Sequence, residues 1–225
     1  MSRLDRQAWL ALVLLHVVMG LLVFIAAGTV RYWQAWVFLA VFAGASVLIT
    51  VYLMRHDPAL LKRRMSGGPT AEKETAQKII MFVISIESVC LLLVPALDHR
   101  FGWSNVPVYV AIAGDLLVAA GFYASFLVYR ENTFTAATVE VAPDQCVVTT
   151  GPYARLRHPQ YASALLYLIG MPLALGSFWG LLVFLAMMPL LIWRLVDEER
   201  LLARELPGYR EYQQRVRWRL IPGLF

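Results

Sequence analysis

Four long apolar stretches, residues 9–27, 33–54, 79–97 and 106–129, dominate the first part of the chain. At ~1.5 Å per helical residue, each is about long enough to cross a ~30 Å hydrocarbon layer. Two shorter apolar runs, 161–175 and 178–193, meet at Gly176-Ser177 and read as a tight helical hairpin with Pro172 as a kink site. Of the 225 residues, 60% are hydrophobic and only 16% are charged, against roughly 25% in a soluble domain. A soluble domain of this size could not hide so much apolar surface. The sequence therefore predicts an all-α integral membrane protein with about six transmembrane helices. The first stretch is too long for a signal-peptide core and lacks a small-residue cleavage site, so it reads as a permanent span.

Charge orients these passes. Every Lys and Arg except Arg31 and Arg100 lies in the N-terminal segment, in 55–78, in 130–157 or after residue 193. The positive-inside rule then predicts a multi-pass protein with both termini and both long loops in the cytosol. A net charge of +5 and a pI near 9.4 could suit nucleic acid. The basic residues are spread over membrane-flanking loops without an aromatic-basic platform, so nucleic acid is not expected as a partner and membrane lipids are. Cys90 lies in a span and Cys146 on the reducing side, which argues against a disulfide.

The chain divides into 1–130, holding transmembrane helices 1–4, and 131–225, a region with the chemistry. Segment 55–78 reads as a solvated connector anchored on headgroups. Thr- and Val-rich 135–141 and 146–150, around Ala142-Pro143-Asp144-Gln145, suggest a small hairpin at the membrane face. Residues 194–206 are charged and helix-forming, Pro207-Gly208 breaks them, and 209–218 forms a second short amphipathic helix.

Dinucleotide and P-loop glycine motifs, a zinc-spaced Cys/His cluster and a nucleophile elbow are all missing, and no metal is expected. Polar residues gather instead at 151–161 and 194–212, the two ends of the apolar hairpin, which a hairpin returns to one side. Pro159 suits the first position of a helix whose free N–H groups would attract a carboxylate. Arg194 sits at the membrane boundary, where a cation could hold an anionic lipid-borne substrate. Arg194 with Glu198, and Asp197 with Arg200, share helix faces by spacing.

The ordered set GPYxxxRHPxY (from Gly151), a hydrophobic hairpin, Asp197-Glu198-Glu199, ELPGYREY, Val216 and Ile221-Pro222 resembles the isoprenylcysteine carboxyl methyltransferase family. More loosely, it resembles the wider group of membrane methyltransferases that includes phospholipid methyltransferases. The resemblance covers 132–225. It implies S-adenosyl-L-methionine as methyl donor in a cytosolic-face pocket, held by Tyr153, His158, Pro159, Gln160, Tyr161 and Glu198, with backbone groups around Val147 and Val148. It implies that Arg194 faces the substrate and serves catalysis. Ser163 stands where the family usually has Gly or Ala.

Methyl transfer needs mostly positioning and water exclusion, because a sulfonium has already activated the carbon. A carboxylate needs no general base, whereas an amine or thiol must first lose a proton. With His158 and Glu198 committed to the cofactor, a carboxylate acceptor is favoured, carried on a lipophilic small molecule or lipidated substrate from the bilayer. The rival enzyme reading is a membrane NADPH-dependent sterol or steroid reductase, which shares the RHPxY layout. Such enzymes follow it with an acidic residue and carry a tail Cys, where this chain has Ala162, Ser163 and Leu201. The third reading is a non-catalytic membrane scaffold. Among intramembrane polar residues, His16 and Glu87 fall at similar depth and are candidates to pair, and Asp115 is a further ionisable group inside a span.

Overall fold

The computed structural model describes residues 2–72 and 74–225; Met1 and Lys73 lie outside it. The described residues are helical with irregular connections and no strand. Helices α1 (Arg3–Ala27), α2 (Trp33–His56), α4 (Thr75–Phe101), α5 (Val108–Glu131) and α7 (Trp179–Glu205) are each long and apolar enough to cross a membrane. The short helix α3 (Pro58–Met65) follows α2, and α6 (Pro159–Ala174) and α8 (Tyr209–Arg215) complete the set. At 16 residues α6 spans roughly 24 Å, shorter than the ~30 Å hydrocarbon layer, and it is not among the five helices of span length. Its partner is longer than expected, because the apolar run and the charged 194–205 form one continuous helix, α7.

The termini of the helices follow local chemistry. Ser2 and Asp5 close a capping box on α1, and Gly28 ends it with φ 68°. Asp57 caps α3 by accepting from the Leu60 N–H at 2.9 Å, with Pro58 in the first turn. Outward faces are apolar: Leu10, Leu14, Leu21 and Ile25 of α1 and Leu182 and Leu185 of α7 are exposed, as a lipid-facing bundle requires. Inside, Met19, Val23, Phe38, Leu91, Val118, Leu175, Phe184 and Met187 join α1, α2, α4, α5, α6 and α7 in one core.

The tightest pairing is α5 against α6, and small residues cause it. A Cβ on Gly121 would lie 2.7 Å from the Tyr167 nitrogen and 2.9 Å from the Ser163 carbonyl, and one on Gly170 would lie 2.7 Å from the Gly114 carbonyl. Gly114 itself abuts the Ala174 backbone. Ser163 is buried here, with its hydroxyl turned back to the Pro159 carbonyl at 2.8 Å. A larger side chain would separate the helices.

The α6–α7 turn, with Gly176 at φ 70°, is pinned at the far end of the bundle by buried Asp98 of α4. Asp98 accepts from the Ser104 N–H and hydroxyl, each at 2.6 Å, and from the Ser177 hydroxyl. At that end Tyr32 stacks on His99 with ring centres 3.8 Å apart and bonds the Leu175 carbonyl. Up-and-down connectivity brings the loop after α2, the loop after α5, the start of α6 and the tail to the opposite end.

One expectation about polar groups needs correction. His16 does not pair with Glu87; its Nε2 lies 3.1 Å from the Ser46 hydroxyl of α2 and its Nδ1 2.6 Å from the Leu12 carbonyl. Glu87 keeps a buried carboxylate oxygen without a hydrogen-bond partner, as does Asp115 with both of its own. Sequence depth measures height in the bundle but not which helix faces which.

Candidate active site

The end of the bundle that holds the long loops encloses a cavity of about 400 Å³. Val147, Val148, Tyr153, His158, Pro159, Gln160, Tyr161, Arg194 and Glu198 all line it, so the hairpin does bring the two polar clusters together. Its floor is apolar and lies between spans, from Met81 and Ile84 of α4, Leu168 of α6, and Met187 and Leu191 of α7.

One wall is built on RHP. The Arg157 and His158 N–H groups donate to the carbonyls of Trp218 and Arg219 at 2.9 and 3.0 Å, tying the α6 entrance to the tail. Pro159 then opens the helix, and His158 provides no side-chain cap. The His158 ring turns to Glu199, with Nε2 3.2 Å from Oε1. Arg157 donates to the same oxygen at 2.6 Å and Arg219 to Oε2 at 2.9 Å. A carboxylate only accepts, so Nε2 carries a proton. Glu199, 5% exposed, is thus the hub of this wall. It stands in the acidic run of the sequence, yet spacing alone did not separate it from Asp197 and Glu198.

The second wall is hydroxyl-rich. Tyr161 donates to Glu198 Oε2 at 2.7 Å. The Tyr153 oxygen receives Asn132 Nδ2 at 2.9 Å and lies 3.3 Å from the Thr135 hydroxyl. Tyr212 donates to the Tyr153 carbonyl at 2.8 Å, fixing the single 3-10 turn Gly151–Ala154. Burial raises the Tyr153 phenol above its ordinary value, opposed by the bonds from Thr135 and Asn132. Burial also raises Tyr209 and Tyr212, so all three are neutral hydroxyls at physiological pH. Gln160 donates to Tyr129 at 3.1 Å, while its Oε1 and the Tyr209 hydroxyl are buried without protein partners.

The third wall was not expected. Segment 55–78 does not stay in solvent. Arg63 and Arg64 donate to the carbonyls of Thr133 and Ala136 at 2.7 and 3.3 Å. Beyond them, Glu72 and Gln77 are 3% and 1% exposed. Arg194 Nη2 donates to Glu72 at 2.7 Å and to the Ala137 carbonyl at 3.1 Å, and Nη1 donates to Gln77 at 2.7 Å. The salt-bridge partner of Arg194 is therefore Glu72, more than a hundred positions away, and not the helix neighbour Glu198. Gln77 also donates to Asp197. Residues 135–150 form no hairpin; the Val139 N–H goes to Glu72 at 3.1 Å and the Ala142 N–H to the Gln145 side chain at 3.0 Å. Side chains, one of them from another segment, satisfy these backbone groups where a ladder would have done so.

Together these walls make a partly open chamber over an apolar floor, with a buried cation, two nearby carboxylates and an imidazole. Residues 109–207 match the phospholipid methyltransferase family. The match runs from α5 to just past α7, somewhat less than half of the chain, and contains all nine predicted site residues. It lies in the membrane methyltransferase group that the motifs resemble, and it implies a membrane methyltransferase acting on lipid substrates. No curated protein matches the chain.

Proposed function

We propose that this protein transfers the methyl group of S-adenosyl-L-methionine to a lipidic acceptor within the 400 Å³ chamber, at the cytosolic face. The observation that carries the reading is that residues from both polar clusters and from the loop before GPY surround one cavity whose floor continues between spans. The volume suits a small-molecule site. The unpartnered Gln160 Oε1 and Tyr209 hydroxyl supply an acceptor and a donor for a polar ligand, and the Glu198 carboxylate lines the same cavity as a further acceptor. Tyr153, His158, Pro159, Gln160, Tyr161 and Glu198 would hold the cofactor, together with the backbone near Val147 and Val148. When bound, it contributes a methyl carbon activated by a sulfonium. The protein's part is to aim the acceptor and exclude water. Met81, Ile84, Leu168, Met187 and Leu191 would receive the acyl or prenyl portion, with Arg194 beside the reacting group.

The carboxylate preference rests on the lack of a free general base and on a guanidinium to orient the anion, and Glu72 pairs with that guanidinium.

Titration of the purified protein with S-adenosylhomocysteine and with NADPH tests the reading. Binding of the first is expected; binding of NADPH alone would sink it in favour of the reductase, and binding of neither would favour a scaffold. Glu198→Ala and His158→Ala should lose S-adenosylhomocysteine. Arg194→Ala should keep it and lose turnover, and a collapse of its cofactor affinity would overturn the division of roles.

A further inference from the structure

Arg194 is 7% exposed, and its five N–H groups are largely assigned. Both Nη2 protons go to Glu72 and Ala137, one Nη1 proton goes to Gln77, and the guanidinium also meets the Tyr161 hydroxyl. The Glu72 side chain is 0% exposed, and its second oxygen receives the Val139 N–H, so its position is set from two sides. Glu198 faces the same cavity, and Asp197 is joined to Arg194 through Gln77. The guanidinium is thus matched by Glu72 alone and outnumbered when Glu198 is included. An acceptor with an anionic reacting group would enter a site with no spare positive charge. A neutral polar one would meet no such penalty.

We propose that Glu72 is a specificity-determining residue of the acceptor site: by pairing with Arg194 it removes that residue's net charge and selects against lipid acceptors whose reacting group is an anion. This rests on the methyltransferase reading and deepens it. Glu72 lies outside residues 109–207, so acceptor choice is set by a segment that the family match does not contain. Like charges brought together repel strongly, which makes exclusion of the wrong headgroup an effective form of selectivity.

The test uses the full chain in nanodiscs and two single-chain probes of equal length, oleate and oleamide, with their binding compared with and without S-adenosylhomocysteine. The native protein should bind oleamide at least as tightly as oleate. Glu72→Gln keeps the side-chain size and an acceptor for Val139, and should shift the ratio about tenfold toward oleate. The double variant Glu72→Gln/Arg194→Gln should abolish that shift. An unchanged ratio in Glu72→Gln, or a shift that persists in the double variant, overturns the proposal. So does native protein that prefers oleate, a result that holds even if the variant folds poorly. The S-adenosylhomocysteine titration on the same samples reports separately on the methyltransferase reading.

Discussion

Glu199→Gln removes one charge from the wall that holds His158 and leaves the volume unchanged. In the native site the carboxylate receives Arg157 at 2.6 Å, His158 at 3.2 Å and Arg219 at 2.9 Å. The side chains of Glu199, Arg157 and His158 are 6%, 8% and 4% exposed, whereas that of Arg219 is 35% exposed. The Arg219 bond is screened by solvent and adds little. A buried hydrogen bond to a charged group contributes about 1.5–3 kcal/mol, and the amide keeps one acceptor while turning an N–H toward a donor. Loss of the Arg157 charge pair with partial loss of the His158 bond should therefore cost about 3 kcal/mol. Alanine, which strands the buried Arg157 charge, should approach 3–5 kcal/mol. For a chain of this length 1 kcal/mol corresponds to roughly 2–4 °C, so Tm should fall by roughly 6–12 °C for Glu199→Gln. Intrinsic fluorescence in one detergent at one scan rate measures that change. The same sample titrated with S-adenosylhomocysteine should show affinity lowered about tenfold, since His158 loses the bond that fixes its ring. A Tm within about 2 °C of native with unchanged affinity would refute the hub assignment. It would mean that the contacts of Arg157 with the Val216 and Arg217 carbonyls hold the wall unaided.

Two further perturbations probe the scaffold. Gly121→Ala places a methyl 2.7 Å from the Tyr167 backbone nitrogen, forcing α6 away from α5 and moving Gln160 and Tyr161 with it. It should cost about 1–3 kcal/mol and weaken S-adenosylhomocysteine binding, both read from ligand-dependent thermal shifts. Asp98→Ala leaves the buried Ser177 hydroxyl and two Ser104 donors unmatched at the far end of the bundle. It should lower Tm by several degrees and leave S-adenosylhomocysteine affinity within about twofold, because it lies away from the cavity.

Hydropathy alone determined the helical, membrane-spanning character of the chain, because an apolar stretch of span length has few alternatives in lipid. It also placed the α6–α7 hairpin, from which the meeting of 151–161 with 194–212 followed: two helices joined by a four-residue turn must return to the same end. The ordered motif pointed to the membrane methyltransferase group for the same reason, since local spacing along helices survives folding. Longer-range pairings were hidden. Neither Glu72 nor Gln77 stands near Arg194 in any periodic pattern, and a polar loop between spans looks like a solvated connector until the fold closes it over a buried cation. The expected hairpin at 135–150 failed for the complementary reason, because its backbone groups found side-chain partners from 72 and 145 in place of a ladder. His16 met Ser46 in place of Glu87 because rotation of each helix about its axis is set by close packing, which hydropathy does not encode. Composition settled the solvent and the local periodicity settled the helices. Which charges meet inside, and therefore how much positive charge the cavity keeps, was decided only by the tertiary structure, where burial makes every unpaired charge costly.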